Sequence, residues 1–443
     1  MKKILALALA LVMVLGMFVY AAPADKKVLN VMSFTDEVPG MVTKFMEMHP
    51  EWAEKFDVET TIVATTDQLY QPALDEKLAA GDVDLYAAEA AFILKYSQGD
   101  MSQYAASYEE LGIDVAAAVE AAGIAGYTVE IGTRPSDGKV VGLGYQANGG
   151  AFIYRRSIAQ DVWGSDDPAV VAEKIGAGSG EWDAFYAAAA ELKEKGYAIV
   201  SGDGDIWHAV ENSSDTGWIV DGKLNIDAKR EAFFDLSMEL KANGYHHDTQ
   251  DWQEGWFADM KKDGGVLGFY GPAWLINYTI GPNAGTDDNS SAGDWNVCAP
   301  NVGFFWGGTW VLAGKGATAD PEKTQLVKEI IEFITLDSSE TGLQYMWANG
   351  MLNDAGTKDV VASSVVMAKS DGSMEFLGGA NAFPAFIDGC AYANGKCLTQ
   401  YDEAINGYFR DAVRQYTAGN MTKDEAIDFF KGQVADNLDV EVD

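Results

Sequence analysis

The stretch "TDQLYQPALDEKLAAGDVDLYA" (residues 66–87) reads as a helix that stops and a strand that starts. Gly81 is the stop, because glycine takes the left-handed conformation that closes a helix without a Cβ clash. Residues 83–87 are then a short extended run. Upstream, "VLNVMSF" (28–34) reads as a buried strand. Thr35 or Asp36 can cap a helix running to Met48, with Pro50 just beyond it. Residues 56–63 alternate apolar and polar, the two-residue period of a strand. Strand, helix, strand, helix, strand in this order predicts an α/β layer with a largely parallel sheet.

The same punctuation continues downstream. "DGKVVGLGYQANGGAFIYR" (137–155) gives a turn and two extended runs meeting at Gly149-Gly150. Asp167 caps a helix whose first residue is Pro168. Residues 180–196 form a helix stopped by Gly196, and Asp227 caps another that ends at Gly244. Trp252 and Trp256 are four apart, one helical face, and read as core. "GFYGPAW" (268–274) is a strand, a Gly-Pro turn and a helix start. Asp320-Pro321 opens a helix with Leu326, Val327, Ile330, Ile331 and Ile334 on one face. Asp337 to Glu340, and Thr422 to Glu425, have the spacing of capping boxes.

"GFFWGGTWVLAG" (303–314) sets Trp306 and Trp310 around Gly307-Gly308. On an unbroken strand the two tryptophans face the same way, and glycine there marks a bend or a close approach.

With 443 residues the chain is long enough for two domains. Its 48% hydrophobic and 12% aromatic content is that of a globular protein. The net charge of −36 repels phosphate backbones and anionic lipid, which excludes nucleic acid as a partner. Residues 1–24 have the form of a secretory signal: Lys2 and Lys3, an apolar run, then small-residue cleavage sites near Ala21 and Ala24. No later run is long enough to span a membrane. The expected mature protein is exported, soluble and monomeric. Cys390 and Cys397 flank an Asn-Gly turn and form a candidate disulfide, while Cys298 reads as a small buried residue. There is no HExxH or CxxC, so neither metal nor cofactor is expected.

Several stretches taken in order carry a resemblance. "LAAGDVDL", "DGKVVGL" followed by "FIYRRSIA", "GFYGPAW", "GDWNVCAP" leading into "WGGTWVLA", and "EIIEFITLDSSETGLQYM" resemble the extracellular solute-binding proteins of ATP-binding-cassette sugar importers, the group related to maltose- and oligosaccharide-binding proteins. The resemblance covers residues 28–438. It implies a two-lobed periplasmic-binding-protein fold of α/β class. Each lobe would be a mostly parallel sheet flanked by helices and discontinuous in sequence, 28–145 plus 303–350 and 146–302 plus 351–443. It implies crossings near 143–152 and 304–312 and within 350–375, closure about that hinge, a carbohydrate ligand and permease subunits as partners. The lipid-attachment cysteine of many such proteins is absent, which favours a periplasmic location.

A sugar offers an apolar C–H face to an aromatic ring and a hydroxyl rim to carboxylates and amides. By residue type and position the candidates are Glu37, Tyr70, Glu89, Gln146, Asp205, Trp207, Trp274, Trp306, Trp310 and Asp388. Glu89 stands just past a strand end, Gln146 on the first crossing, and Trp274 at the Gly-Pro turn. Asp205 and Trp207 follow a strand in "SGDGDIWHAVEN", whose acid spacing lacks the EF-hand pattern of a calcium loop. Asp388 falls in a loop beside Cys390. Two other readings stay open: a sensory or peptide-binding use of the same fold, and a secreted glycoside hydrolase, for which no convincing carboxyl pair can be named.

Overall fold

The computed structural model describes residues 26–352 and 356–443; the signal-like segment lies outside the described residues. Strand β1 (Lys27–Ser33) leads to helix α1 (Glu37–Met48), β2 (Phe56–Ile62) to α2 (Tyr70–Ala80), and β3 (Leu85–Glu89) completes the layer. β1 pairs in parallel with both β2 and β3. Gly81 closes α2 in the left-handed conformation at φ 77°. Asp36 makes no side-chain cap bond; Thr35 instead accepts from the Glu37 amide.

The short strands β4 (Ala105–Ala106) and β5 (Gly142–Gly144) join the same sheet, and β6 (Ala151–Arg155) starts a second one. There β6 is flanked by β7 (Gly268–Gly271) and β8 (Trp295–Cys298), both antiparallel to it. In the chain between β6 and β7 lies helix α3 (Gly204–Asn212). The chain then returns through β9 (Thr309–Gly314), which inserts between β3 and β4 and also pairs with β5, antiparallel to all three. Among the named strands of the described residues, parallel pairing is that of β1 with β2 and β3; two isolated parallel bridges, Ala198 with Val266 and Lys223 with Glu441, lie outside them. A strand that arrives from the other half enters in the opposite sense, so the sheets are more mixed than the sequence predicts.

The later helices include α4 (Pro321–Ile331), α5 (Phe383–Tyr392), α6 (Asp402–Thr417) and α7 (Lys423–Asn437). Local chemistry sets their ends. Asp320 accepts from the Glu322 and Lys323 amides at the start of α4, and Thr422 with Glu425 forms a complete capping box on α7. The second predicted box is not one: Asp337 accepts from Ser339 in a tight turn, and the next helix begins only at Leu343.

Two apolar cores result. Leu29, Val31, Leu85, Val311, Leu312 and Ile330 pack under the first sheet. Phe152, Tyr154, Phe185, Trp207, Trp218, Phe409 and Phe430 pack beside the second.

Three extended segments run side by side where the two halves meet. The amides of Gly150 and Trp306 donate to the carbonyls of Phe304 and Asn148, and Gly149 bridges Phe305. Gln146 bridges Val361, and the Ala362 amide donates to the Tyr145 carbonyl. These are the stretches predicted as crossings.

The three cysteines are free, so the predicted bridge is absent. Cys390 is buried in α5 against Gly149, whereas the Cys397 thiol donates to the Asp215 carbonyl. Helix geometry commits Cys390 to the core while Cys397 sits on the following loop. Burial also pushes the Cys298 thiol well above its ordinary pKa.

Candidate ligand-binding cleft

The bend at Gly307-Gly308 creates the site. Their φ values are 73° and 122°, both in the region that favours glycine. Before the bend, residues 304–306 pair with 148–150; after it, β9 pairs with β3 and β5. The two left-handed residues break the alternation, so the flanking tryptophans part. Trp310 lies in the core, 1% exposed, its indole N–H donating to the Thr128 carbonyl. Trp306 is partly exposed and faces a cleft of about 380 Å³.

Both halves line that cleft. From the first come Glu89, Ala90, Ala91 and Leu94, at the carboxyl end of β3. From the second come His208, Glu211 and Asn212 on α3, Asp251 and Trp252, and Glu403, Asn406 and Arg410 on α6.

Its aromatic wall is built around Trp306. The His208 ring stacks on it at 4.5 Å, and Trp274 meets it edge-on at 4.8 Å. The Trp274 indole N–H also donates to the Trp306 carbonyl at 3.2 Å, so Trp274 backs the wall instead of lining the cleft. Trp252 is 48% exposed and holds φ 66°, an uncommon conformation for an aromatic residue. It meets Trp306 edge-on at 5.8 Å and lies nearly parallel to Trp274 at 6.3 Å.

The polar wall is mostly acidic. Arg410 donates to Asp251 at 2.6 Å, and this partner outweighs burial to keep the Asp251 pKa low. Burial likewise works against charge on Glu211, but contacts from His208 at 3.3 Å and Asn406 at 2.5 Å outweigh it. Glu89 is different. Burial pushes its pKa up to about 7, the Ala91 amide relieves this only in part, and Glu403 across the cleft adds repulsion. Glu403 is itself raised, by burial and then by Glu211. Asp402 is pushed to about 7 by burial; Thr399 occupies its Oδ1, and its Oδ2 has no partner.

Of the predicted residues, Glu89 and Trp306 meet in this cleft, and Trp274 stands directly behind. Trp207 touches the cleft floor but is 1% exposed, its ring held between Phe233 and Phe409, so it is no stacking platform. Tyr70 is buried and its hydroxyl donates to the Ala87 carbonyl at 2.6 Å; it is core. Asp205 is buried and accepts from the Ser201 and Gly202 amides and from the Trp256 indole, so it ties the start of α3. Asp388 is exposed on helix α5, not in a loop, and lies outside the cleft lining.

Glu37 and Gln146 belong to a second polar cluster at the crossings. Glu37 accepts from the Tyr145 hydroxyl, and Gln146 and Glu37 both act on buried Asp359, whose pKa burial raises to about 7.

The residues that sequence reasoning missed are His208, Glu211, Asp251, Trp252, Glu403, Asn406 and Arg410. A signal existed for three of them: Glu403, Asn406 and Arg410 recur every three to four residues, a polar stripe on one helix face. Among the described residues no group of three or more His, Cys, Asp or Glu is placed to hold a metal ion, and no helix is long and apolar enough to cross a membrane.

No family model and no curated protein matches the chain. Solved structures do. An extracellular solute-binding protein family 1 structure aligns over 93% of this chain and 99% of its own, with TM-score 0.72 and 19% identity. The galacto-N-biose/lacto-N-biose I-binding protein of the ABC transporter from Bifidobacterium longum, in complex with lacto-N-biose, aligns over 94% and 99%, with TM-score 0.63 and 17% identity. A sugar transporter protein from Rhizobium etli in an open conformation aligns over 92% and 99%, with TM-score 0.63 and 15% identity. The chain has the two-lobed solute-binding-protein fold. In that fold the first sheet and the second sheet are the centres of the two lobes, and the cleft at Trp306 lies between them.

Proposed function

We propose that the chain is the substrate-capturing component of an ATP-binding-cassette importer, holding a carbohydrate, an oligosaccharide, between its lobes. The observation that carries this reading is the composition of the cleft. Partly exposed Trp306 and Trp252 offer flat apolar faces, while Glu89, Glu403, Asn406 and Arg410 supply hydrogen-bonding groups from both halves. A sugar needs that pairing of ring and rim. The proteins of like fold include binders of lacto-N-biose and of β-1,6-galactobiose, which supports the ligand class.

In this reading the lobes are 28–145 with 303–350 and 146–302 with 351–443, and they close about the three adjacent crossings. Ligand contacts made by both lobes are complete only when they are closed, so binding favours that state. The closed form then docks on permease subunits. The protein acts as an exported monomer without catalysis.

A thermal-shift screen of a glycan panel tests this, because a ligand that binds only the folded state raises its transition by mass action. A saccharide that raises the transition, shifts tryptophan emission and is recovered intact is the expected result. Recovery of cleaved sugar would overturn the binding-protein reading in favour of a hydrolase.

A further inference from the structure

The cleft holds more negative charge than its own cations balance. Five carboxylates line it: Glu89, Glu211, Asp251, Asp402 and Glu403. Arg410 neutralises Asp251, His208 is shared with Glu211, and the charge of buried Arg230 reaches Glu211 and Asp402 without forming an ion pair among the described residues. That leaves Glu89, Asp402 and Glu403. Glu89 has the Ala91 and Ala90 amides and no cation, Glu403 makes no hydrogen bond or salt bridge among the described residues, and Asp402, 6% exposed, keeps Oδ2 without any partner. These groups come from opposite halves, Glu89 from β3 and the other two from the start of α6, so closure brings like charges together. A buried acceptor without a donor is costly, and an uncompensated charge more so.

Resting on the carbohydrate reading above, we propose that the ligand is a cationic saccharide, an amino sugar whose ammonium group enters between Glu89 and the Asp402–Glu403 pair. An ammonium has three donors and no acceptor, which suits carboxylates with acceptor capacity left over. It also converts the repulsion between the halves into a bridge that favours closure. Burial is the first cause of the raised pKa in all three groups, and the cations within reach, Arg230 for Asp402 and His208 and Arg410 for Glu403, offset it only in part. Beyond the cleft, the chain's net charge of −36 draws a cation in and repels a uronate.

The test uses matched sets of mono- to tetrasaccharides, each in neutral, N-acetylamino and free-amino form, titrated calorimetrically into the full chain near pH 7. The free-amino member of the best set is expected to bind about tenfold or more tighter than its two counterparts, with the advantage shrinking as salt is raised. Glu403→Gln and Glu89→Gln should each remove most of that advantage. If a neutral or N-acetylated sugar binds as tightly as its amino counterpart, this inference falls and the carbohydrate reading stands. If no saccharide in any form binds, the carbohydrate reading falls and takes the inference with it.

Discussion

Trp252 offers a sharp test because its two halves do different work. It is 48% exposed, and its φ of 66° places it in left-handed backbone. A tryptophan presents roughly 200–250 Å² of surface. About 100 Å² is therefore open in the cleft, and a similar area is packed on Trp256, Trp274 and Trp306. At about 25 cal/mol per Å², a sugar covering the open side gains up to about 2.5 kcal/mol, close to two decades of affinity. Ordering costs reduce that, so Trp252→Ala should weaken binding roughly tenfold to fiftyfold. The packed side predicts a stability loss of about 2 kcal/mol in the ligand-free protein. Alanine keeps the backbone strain, whereas asparagine visits the left-handed region readily, at a saving of about 1 kcal/mol. Trp252→Asn should therefore be more stable than Trp252→Ala while binding equally weakly. Urea unfolding and calorimetric titration with the saccharide giving the largest thermal shift read both quantities. Affinity within twofold of the parent would show that Trp252 does not touch ligand. Equal stabilities would show that the left-handed backbone carries no strain.

Buried carboxyls give the protein a predictable pH response. Glu89, Asp205, Asp359 and Asp402 all have pKa values raised to about 7 by burial. A raised folded pKa means the native state binds the proton more tightly. That stability is complete below about pH 4 and is lost as pH rises through 7. Asp359→Asn should accordingly be more stable than the parent at pH 8, by about 1–3 kcal/mol, and not at pH 4, as denaturant titrations at the two pH values would reveal. Gly308→Ala places a side chain at φ 122° and within 2.8 Å of the Asn148 side-chain Nδ2, so unfolding measurements should show a loss of about 2 kcal/mol or more. Alkylation followed by intact-mass measurement, without prior reduction, should find three modifiable thiols in the denatured protein; two missing modifications would mean that Cys390 and Cys397 are bridged.

Much of the scaffold is legible in the sequence because its signals are local. Gly81 ends a helix, and Asp167, Asp227, Asp320 and Thr422 start others, through contacts made within a few residues. The site is less legible because it depends on which face of an element turns toward the cleft. Tyr70 and Trp207 have the right chemistry and the wrong face. Trp252 reads as one helical face with Trp256, yet it precedes the helix Glu254–Asp259, and a single left-handed residue turns it outward. At Gly307-Gly308 the change of parity is invisible to a two-residue period. Charge pairing is harder still: Arg410 finds Asp251 from 159 positions away.

The crossing at Gly307-Gly308 also has a consequence of handedness. Its two residues occupy backbone space that mirrors the ordinary preference of L-amino acids. The position of Trp306 is thus dictated by a local reversal of chirality and not by any side chain that could be exchanged for a similar one. A D-alanine introduced at 307 by chemical ligation would find the main-chain angles native, where its L-enantiomer would be strained. Main-chain stereochemistry is thus itself a determinant of where the wall of the cleft stands.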